Sequence, residues 1–257
     1  MAEIQGDLSK YLAGLPVMVE GANIAISQPS IKDICAYGED DFLMAVEFFI
    51  KSKEIAEKFK NEGKSQLEYL NDFQVLLVII QHDDTSREQI NNFFGIIFPN
   101  YLCEFDNGCI NFRMKENEPI VGQLNPMNFN NFKQTIRELF LPIGVEGEEQ
   151  EFNPANDRAA EIAAKLEKGR RQRAALKQDE KGKGPQSIFA NYASILSIGL
   201  NIDINVIFSY TAFQLFDSFR RYTTKLSYDL YQKIATTPMM DVSKMDEPAN
   251  WMDNIYK

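Results

Sequence analysis

Apolar residues recur along most of this chain at steps of three and four, the spacing of helices with one buried face. Residues 8–15 read as a short helix ending near Gly14 and Pro16. Val17 to Glu20 and Asn23 to Ser27 read as two short strands around Gly21–Ala22, a small N-terminal hairpin. Ser30 suits the N-cap of the next helix, whose Ile31, Ile34 and Cys35 form an inward stripe and which Gly38 ends. A longer amphipathic helix is predicted over residues 39–60. Glu39, Asp40 and Asp41 fall in its first turn, where the helix dipole favours acids, and Phe42, Val46, Phe49 and Ile50 share one face.

The run from Phe73 to Ile80 is apolar on every side, so periodicity does not separate a buried strand from a buried helix. Glu68, Tyr69 and Leu70 before it favour a helix over 66–81. Thr85 or Ser86 is placed to cap another helix through Ile97, stopped by Pro99. Tyr101–Phe105 and Cys109–Met114 flank Asp106–Asn107–Gly108, and Asn-Gly tolerates the positive φ of a tight turn, so a second hairpin is expected near 101–114. Phe129 to Leu139 reads as a helix before Pro142.

Composition shifts between 144 and 187. An acidic stretch (Glu146, Glu148, Glu149, Glu151) precedes a polar helical segment made basic by Lys168, Arg170, Arg171, Arg173 and Lys177. This charged stretch is expected to be an exposed helix or linker between an N-terminal α+β domain, 1–143, and a helical region, 188–257, ending in a docking tail. In that last region Ser187 to Leu200 reads as one helix, Asn201–Ile202–Asp203 as a break, and Asn205 to Ala235 as one long helix. Its seam runs through Phe208, Ala212, Leu215, Phe219, Tyr222, Leu226, Leu230 and Ile234. A helix that long exceeds the needs of a small domain, so part of its surface is expected to meet a partner. The tail beyond it carries Trp251, Ile255 and Tyr256 as apolar anchors. Docking of that tail on its own chain and docking on another are both open. The surface named for partner binding is Phe219, Tyr222, Leu226, Leu230, Trp251, Ile255 and Tyr256. The fold class is α+β, predominantly α-helical.

Charge and residue inventory narrow the function classes. The 257 residues carry a formal net charge of −10, which disfavours nucleic acid except at a local basic patch such as 165–177. Aromatic residues do not interleave with that patch's charges, so base stacking is not expected there. The longest apolar run is far short of the roughly 20 residues of a membrane span. The polar opening, with Glu3 and Asp7, lacks the order of a secretory leader. A cytoplasmic protein without membrane contact is therefore expected. Cys35, Cys103 and Cys109 are odd in number and lack CxxC spacing, which points away from zinc and toward free, buried thiols. A Cys103–Cys109 bridge across the hairpin is also conceivable. His82 is the single histidine. His82–Asp83–Asp84 has the residue types of an oriented histidine, but it sits where an inter-helix loop is predicted. No phosphate-binding glycine loop occurs. No catalytic, cofactor-binding or metal residues are assigned.

LSKYLAGLPVMVEG and ISQPSIKDICAYGEDDF at the start, with FSYTAFQLFDSFRRYTTKLSYDLYQKIA and DEPANWMDNIYK at the end, form a family pattern. Together they resemble tail assembly chaperones of tailed bacteriophages and prophages of Gram-positive hosts. The resemblance covers both ends, about half of the chain, and leaves 144–187 unmatched. It implies a non-catalytic factor in the cytoplasm of the bacterial host. Such a factor coats the tape measure protein, keeps its apolar helices soluble and recruits tail tube protein. Self-association stays open. The alternative is a structural virion component of a phage tail or baseplate.

Overall fold

A computed structural model describes residues 6–50, 70–106, 108–141, 187–237 and 248–252. The fold is α+β and predominantly helical. The N-terminal elements are α1 (Leu8–Leu12), β1 (Val17–Val19), β2 (Ile24–Ile26), α2 (Ile31–Tyr37) and α3, described over Glu39–Ile50. Next come α4 (Asp72–His82), α5 (Asp84–Ile97), β3 (Leu102–Asp106), β4 (Cys109–Arg113), β5 (Gly122–Leu124) and α6 (Phe129–Phe140). The chain resumes with α7 (Ile188–Leu200), α8 (Ile204–Phe208) and α9 (Ala212–Ala235). The expected charged segment, with its basic helix and acidic stretch, lies outside the described residues.

Helix starts are set by side-chain caps that supply partners for otherwise orphaned N–H groups. Ser30 caps α2 in a reciprocal box with Asp33. Asn71 does the same for α4 with Gln74, which makes the ambiguous apolar run helical. Two cap expectations change. Asp83, not Thr85 or Ser86, caps α5, because its carboxylate accepts from both of their backbone N–H groups. The expected single helix over 205–235 is two helices. Thr211 forms a capping box with Gln214 and restarts the chain as α9, after α8 ends at Phe208. That restart is tied to the start of α2, since the Ile31 N–H donates to the Tyr210 carbonyl at 2.8 Å and Ser30 bridges Thr211.

The hairpins form as the pattern predicts. β1 and β2 pair antiparallel with Val17 opposite Ile26, and β3 pairs with β4 with Asp106 opposite Cys109. Gly108 takes φ +76° at that turn. The periodicity gave no sign of β5, which adds to β4 with Phe112 opposite Gly122 and Ile110 opposite Leu124. Gly122 is needed for its lack of a side chain. A Cβ there would lie 2.6 Å from the Ala22 carbonyl oxygen and 2.7 Å from that of Asn23. The close approach lets the Gln123 N–H donate to the Ala22 carbonyl at 2.9 Å, joining the three-stranded sheet to the N-terminal hairpin.

One hydrophobic core runs through all of these elements, from Tyr11 in α1 to Phe216 in α9. Its centre is phenylalanine. Phe49 of α3 packs against Phe94 of α5 and Phe132 of α6, each at 5.4 Å between ring centres. Phe42 bridges Phe93 and Phe140, and Phe98 meets Phe112 of β4 at 4.9 Å. Such ring pairs contribute about 0.5–1.5 kcal/mol each beyond the area they bury. Of the expected inward stripe on α2, Ile31 and Ile34 are fully buried but Cys35 is exposed. The seven-residue helix is too narrow a contact to bury a third position. The three thiols are free, as expected, but not buried: Cys103 and Cys109 are only half-covered on the hairpin.

Phe98→Ala is expected to cost about 3–5 kcal/mol in urea unfolding, whereas Met18→Ala, on an exposed position, should stay within about 0.5 kcal/mol. Equal losses at the two positions would contradict the placement of the core. Gly122→Ala should lose about 1–3 kcal/mol by forcing the two sheets apart. Unchanged stability would mean that the strand contact is looser than described.

Candidate binding surface on the C-terminal helices

α9 is 24 residues long, about 36 Å. Its first half belongs to the core. Ala212, Phe213, Leu215, Phe216 and Asp217 are buried. Phe213 meets Tyr11 of α1 edge-on at 5.2 Å, and Phe216 meets Phe189 of α7 at 5.7 Å. Burial then fades along the helix. Phe219 and Tyr222 are half-buried, while Leu226 is 48% and Leu230 60% exposed. Residues at these spacings lie on one face of a helix. The stripe that packs the first half into the core therefore continues, uncovered by any other described residues, along the second half.

α7 packs on the inner part of this stripe. Tyr192 stacks on Phe219 at 4.1 Å with the rings nearly parallel. Tyr222 lies directly over Gly199, where a Cβ would fall 2.3 Å from the tyrosine ring. Ile195 and Ile198 of α7 are exposed, and Ile198, two residues on from buried Leu196 and 82% exposed, lies on the side of the helix turned away from α9. The sequence reading did not name these two isoleucines. The signal was present, because Ser187 to Leu200 contains no charged residue, which is unusual for a helix with one wet face.

Charges border the stripe on one side. The Arg221 guanidinium donates to both oxygens of buried Asp217, at 3.2 and 3.3 Å, and Lys225 pairs with Asp229 at 2.5 Å. Arg221 also donates, through Nη1, to the backbone carbonyl of Trp251 at 3.2 Å. Trp251 is half-buried. Of the seven residues named from sequence, Phe219, Tyr222, Leu226 and Leu230 share one face of α9, and Trp251 reaches the edge of that face. Ile255 and Tyr256 lie outside the described residues.

The chemical candidates have local roles. His82 ends α4 and is exposed. The neighbouring Asp83 carboxylate is engaged in capping α5, accepting from the Thr85 and Ser86 N–H groups and from the Ser86 hydroxyl at 2.5 Å. Those hydrogen bonds, led by that of the Ser86 hydroxyl, hold its pKa below the ordinary aspartate value. Burial pushes the Cys103 thiol up to about 12, which keeps it protonated near neutral pH. Among the described residues, the one buried carboxylate outside α9 is Glu138. It accepts from the Tyr11 hydroxyl at 2.7 Å and from the Gln134 amide at 2.6 Å, and burial together with this contact raises the Tyr11 pKa. An open cleft of about 270 Å³ between α3 and α5 is lined by Asp41, Met44, Glu47, Phe48, Ser86 and Gln89. Among the described residues, no group of three or more His, Cys, Asp or Glu is arranged to hold a metal ion. No helix among them is long and apolar enough to cross a membrane.

Residues 181–256 match the family model described as the YomV second domain, and YomV is a Bacillus phage-region protein. The match takes in α7, α8, α9 and the Trp251 segment, less than a third of the chain. No curated protein and no solved structure matches the chain.

Two consequences of this geometry are measurable. His82→Ala should change unfolding free energy by no more than about 0.5 kcal/mol, because the side chain is exposed and nothing described packs on it. In the native protein, iodoacetamide should alkylate Cys35 faster than Cys103, with the difference vanishing in urea. Equal native rates would contradict the covering of Cys103.

Proposed function

We propose that this chain is a non-catalytic phage tail assembly chaperone of the bacterial host cytoplasm. In this reading it binds the tape measure protein and aids assembly of the tail tube. The observation that carries the reading is the apolar stripe of α9 continuing past the edge of the core. Leu226 and Leu230 stand exposed beyond half-buried Phe219 and Tyr222. An uncovered stripe of that spacing on a helix suits an amphipathic helical client, by helix-to-helix packing. The surface lies within the segment that matches a domain of a phage-region protein, which supports a phage setting. The resemblance of the chain's two ends to tail assembly chaperones supplies the finer identity of the client.

A binding factor of this kind needs exposed apolar side chains on a scaffold that remains folded without its client. The scaffold has its own core, and the stripe adds nothing to that core beyond Tyr222. Mutations on the outer half of α9 should therefore separate binding from folding.

Co-expression with the tape measure protein encoded nearby is the direct test. Wild-type chain should co-purify with that protein and raise its soluble yield. The pair Leu226→Asp and Leu230→Asp should lose co-purification by about tenfold or more, with the unfolding transition shifted by less than about 0.5 kcal/mol. Absence of any complex with the wild-type chain would remove the chaperone reading. Mass spectrometry of purified particles then addresses the alternative, since a chain present at stoichiometric level in virions would be a structural tail or baseplate component.

A further inference from the structure

We propose that the outer face of α7 is a self-association surface, on which a second copy of this chain packs its own α7 in parallel across a twofold axis. Ile188, Asn191, Ile195 and Ile198 are all exposed, and steps of three, four and three residues place them in one narrow stripe. The stripe lies opposite Phe189, Ala193 and Leu196, through which α7 enters the core. It is therefore separate from both the core and the surface on α9. Ile188 is 44%, Ile195 37% and Ile198 82% exposed. Together they leave on the order of 300 Å² of isoleucine surface open on each copy, as large as patches that commonly serve as contact sites.

Charge and one polar side chain select a second copy as the occupant. From Ser187 to Ile202 no residue is charged, on a chain of formal net charge −10. Two such chains repel where acidic surfaces meet, and a neutral face lets them approach without opposing like charges. A surface built for a basic or acidic partner carries the opposite sign, which this one lacks. Asn191 stands within the stripe, and its amide has no hydrogen-bond partner among the described residues. Against an aliphatic partner that amide would be covered and left unpaired. Against a second Asn191 each amide donates to the other's carbonyl, and one such pair in an apolar seam fixes register and limits the assembly to two. An antiparallel pairing centred on the stripe would instead set Asn191 against Ile195. With the neighbouring Ser187, Ala190 and Ser194 covered as well, the contact reaches about 1,000 Å² over both copies, the lower end for a specific interface, so the dimer is reversible. α7 and α9 run in the same direction, since Phe189 meets Phe216 and Gly199 lies under Tyr222. Parallel pairing therefore places the outer halves of both α9 helices at one end of the dimer.

Sedimentation velocity over a micromolar to submillimolar concentration series reads the pairing directly. The full-length chain should move reversibly from monomer to dimer, with no larger species. Ile195→Asp and Ile198→Asp, at exposed positions, should each weaken the dimer about tenfold or more, with the helical circular dichroism kept. Asn191→Ile should tighten association and admit larger assemblies, an effect that a residue on a merely wet face does not produce. Cross-linking reads the register. In a chain carrying Cys35→Ser, which removes an exposed thiol, Asn191→Cys should give a disulfide-linked dimer on oxidation, well above the same chain without it. Lys225→Cys on α9 should not. A chain that stays monomeric throughout, a dimer indifferent to Ile198→Asp, or absence of the Asn191→Cys cross-link overturns the proposal. No phage client enters these experiments, so either result leaves the chaperone reading to stand or fall by co-expression.

Discussion

The packing of Phe49 against Phe94 and Phe132 holds three helices in one arrangement, and most of the remaining geometry follows from it. Each ring is large and rigid, so the helices meet at spacings that the rings dictate. Phe94 passes the contact to Phe98, and Phe98 to Phe112, which seats β4 on the helices. With β4 fixed, β5 falls against the N-terminal hairpin closely enough that only glycine fits at 122. With α6 fixed, its Glu138 is in reach of Tyr11, and α1 is thereby held against the start of α9. The orientation of α9, and so the direction in which its outer half points, is a late consequence of phenylalanine packing far from it.

Buried and half-buried polar groups define register where the apolar contacts alone would permit sliding. Asn128 donates to the carbonyls of Gly21 and Gln123 at 2.9 and 2.8 Å and accepts from the Asn125 N–H, satisfying its amide on both ends. Glu39 has a double role. It sits in the first turn of α3, and its carboxylate also accepts from the N–H groups of Ile188 and Phe189 and from the Ser187 hydroxyl. One carboxylate therefore lies at the N-terminal ends of two helices, where both dipoles favour it. The contact is partly open to solvent, so it contributes about 1 kcal/mol and favours one position of the start of α7 along α3.

Local signals were legible where a short stretch of sequence decides the outcome. Ser30, Gly38, the two hairpins and the break at 201–203 are of this kind, because caps and turns depend on two to four neighbouring residues. What was not legible depended on partners distant in sequence. β5 is three residues without alternation, and its existence depends on Gly122 meeting Ala22. Cys35 falls on the helical stripe but is exposed, since no distant element among the described residues covers it. The helix expected over 205–235 carries an unbroken apolar period across its real break. Thr211 and Gln214 form a capping box there, a pattern present in the sequence but outweighed by the longer seam. Of the binding surface, the stripe on α9 was readable from spacing. The crossing of Tyr222 over Gly199, which covers the stripe's inner part, depends on a distant partner that no periodicity records.

The outer half of α9 is a helix with little to keep it one. Isolated helices of this length are marginal in water, and this half borrows almost no packing from the core. Its internal supports are weak. Lys225 precedes Asp229, the less favourable order for a pair four residues apart. Thr223 and Thr224 turn their hydroxyls back onto the carbonyls of Phe219 and Arg220, a habit that slightly loosens a helix. β-Branched and aromatic residues lower its propensity further. A segment composed this way is not optimised to stand alone, yet it exposes leucines that a purely structural extension would replace with polar residues. Both features have one physical explanation. Covering the stripe adds buried apolar area and stabilises the helix that presents it, so binding and local order reinforce each other. On that account the weakness of the outer half is what makes its surface responsive to whatever covers it.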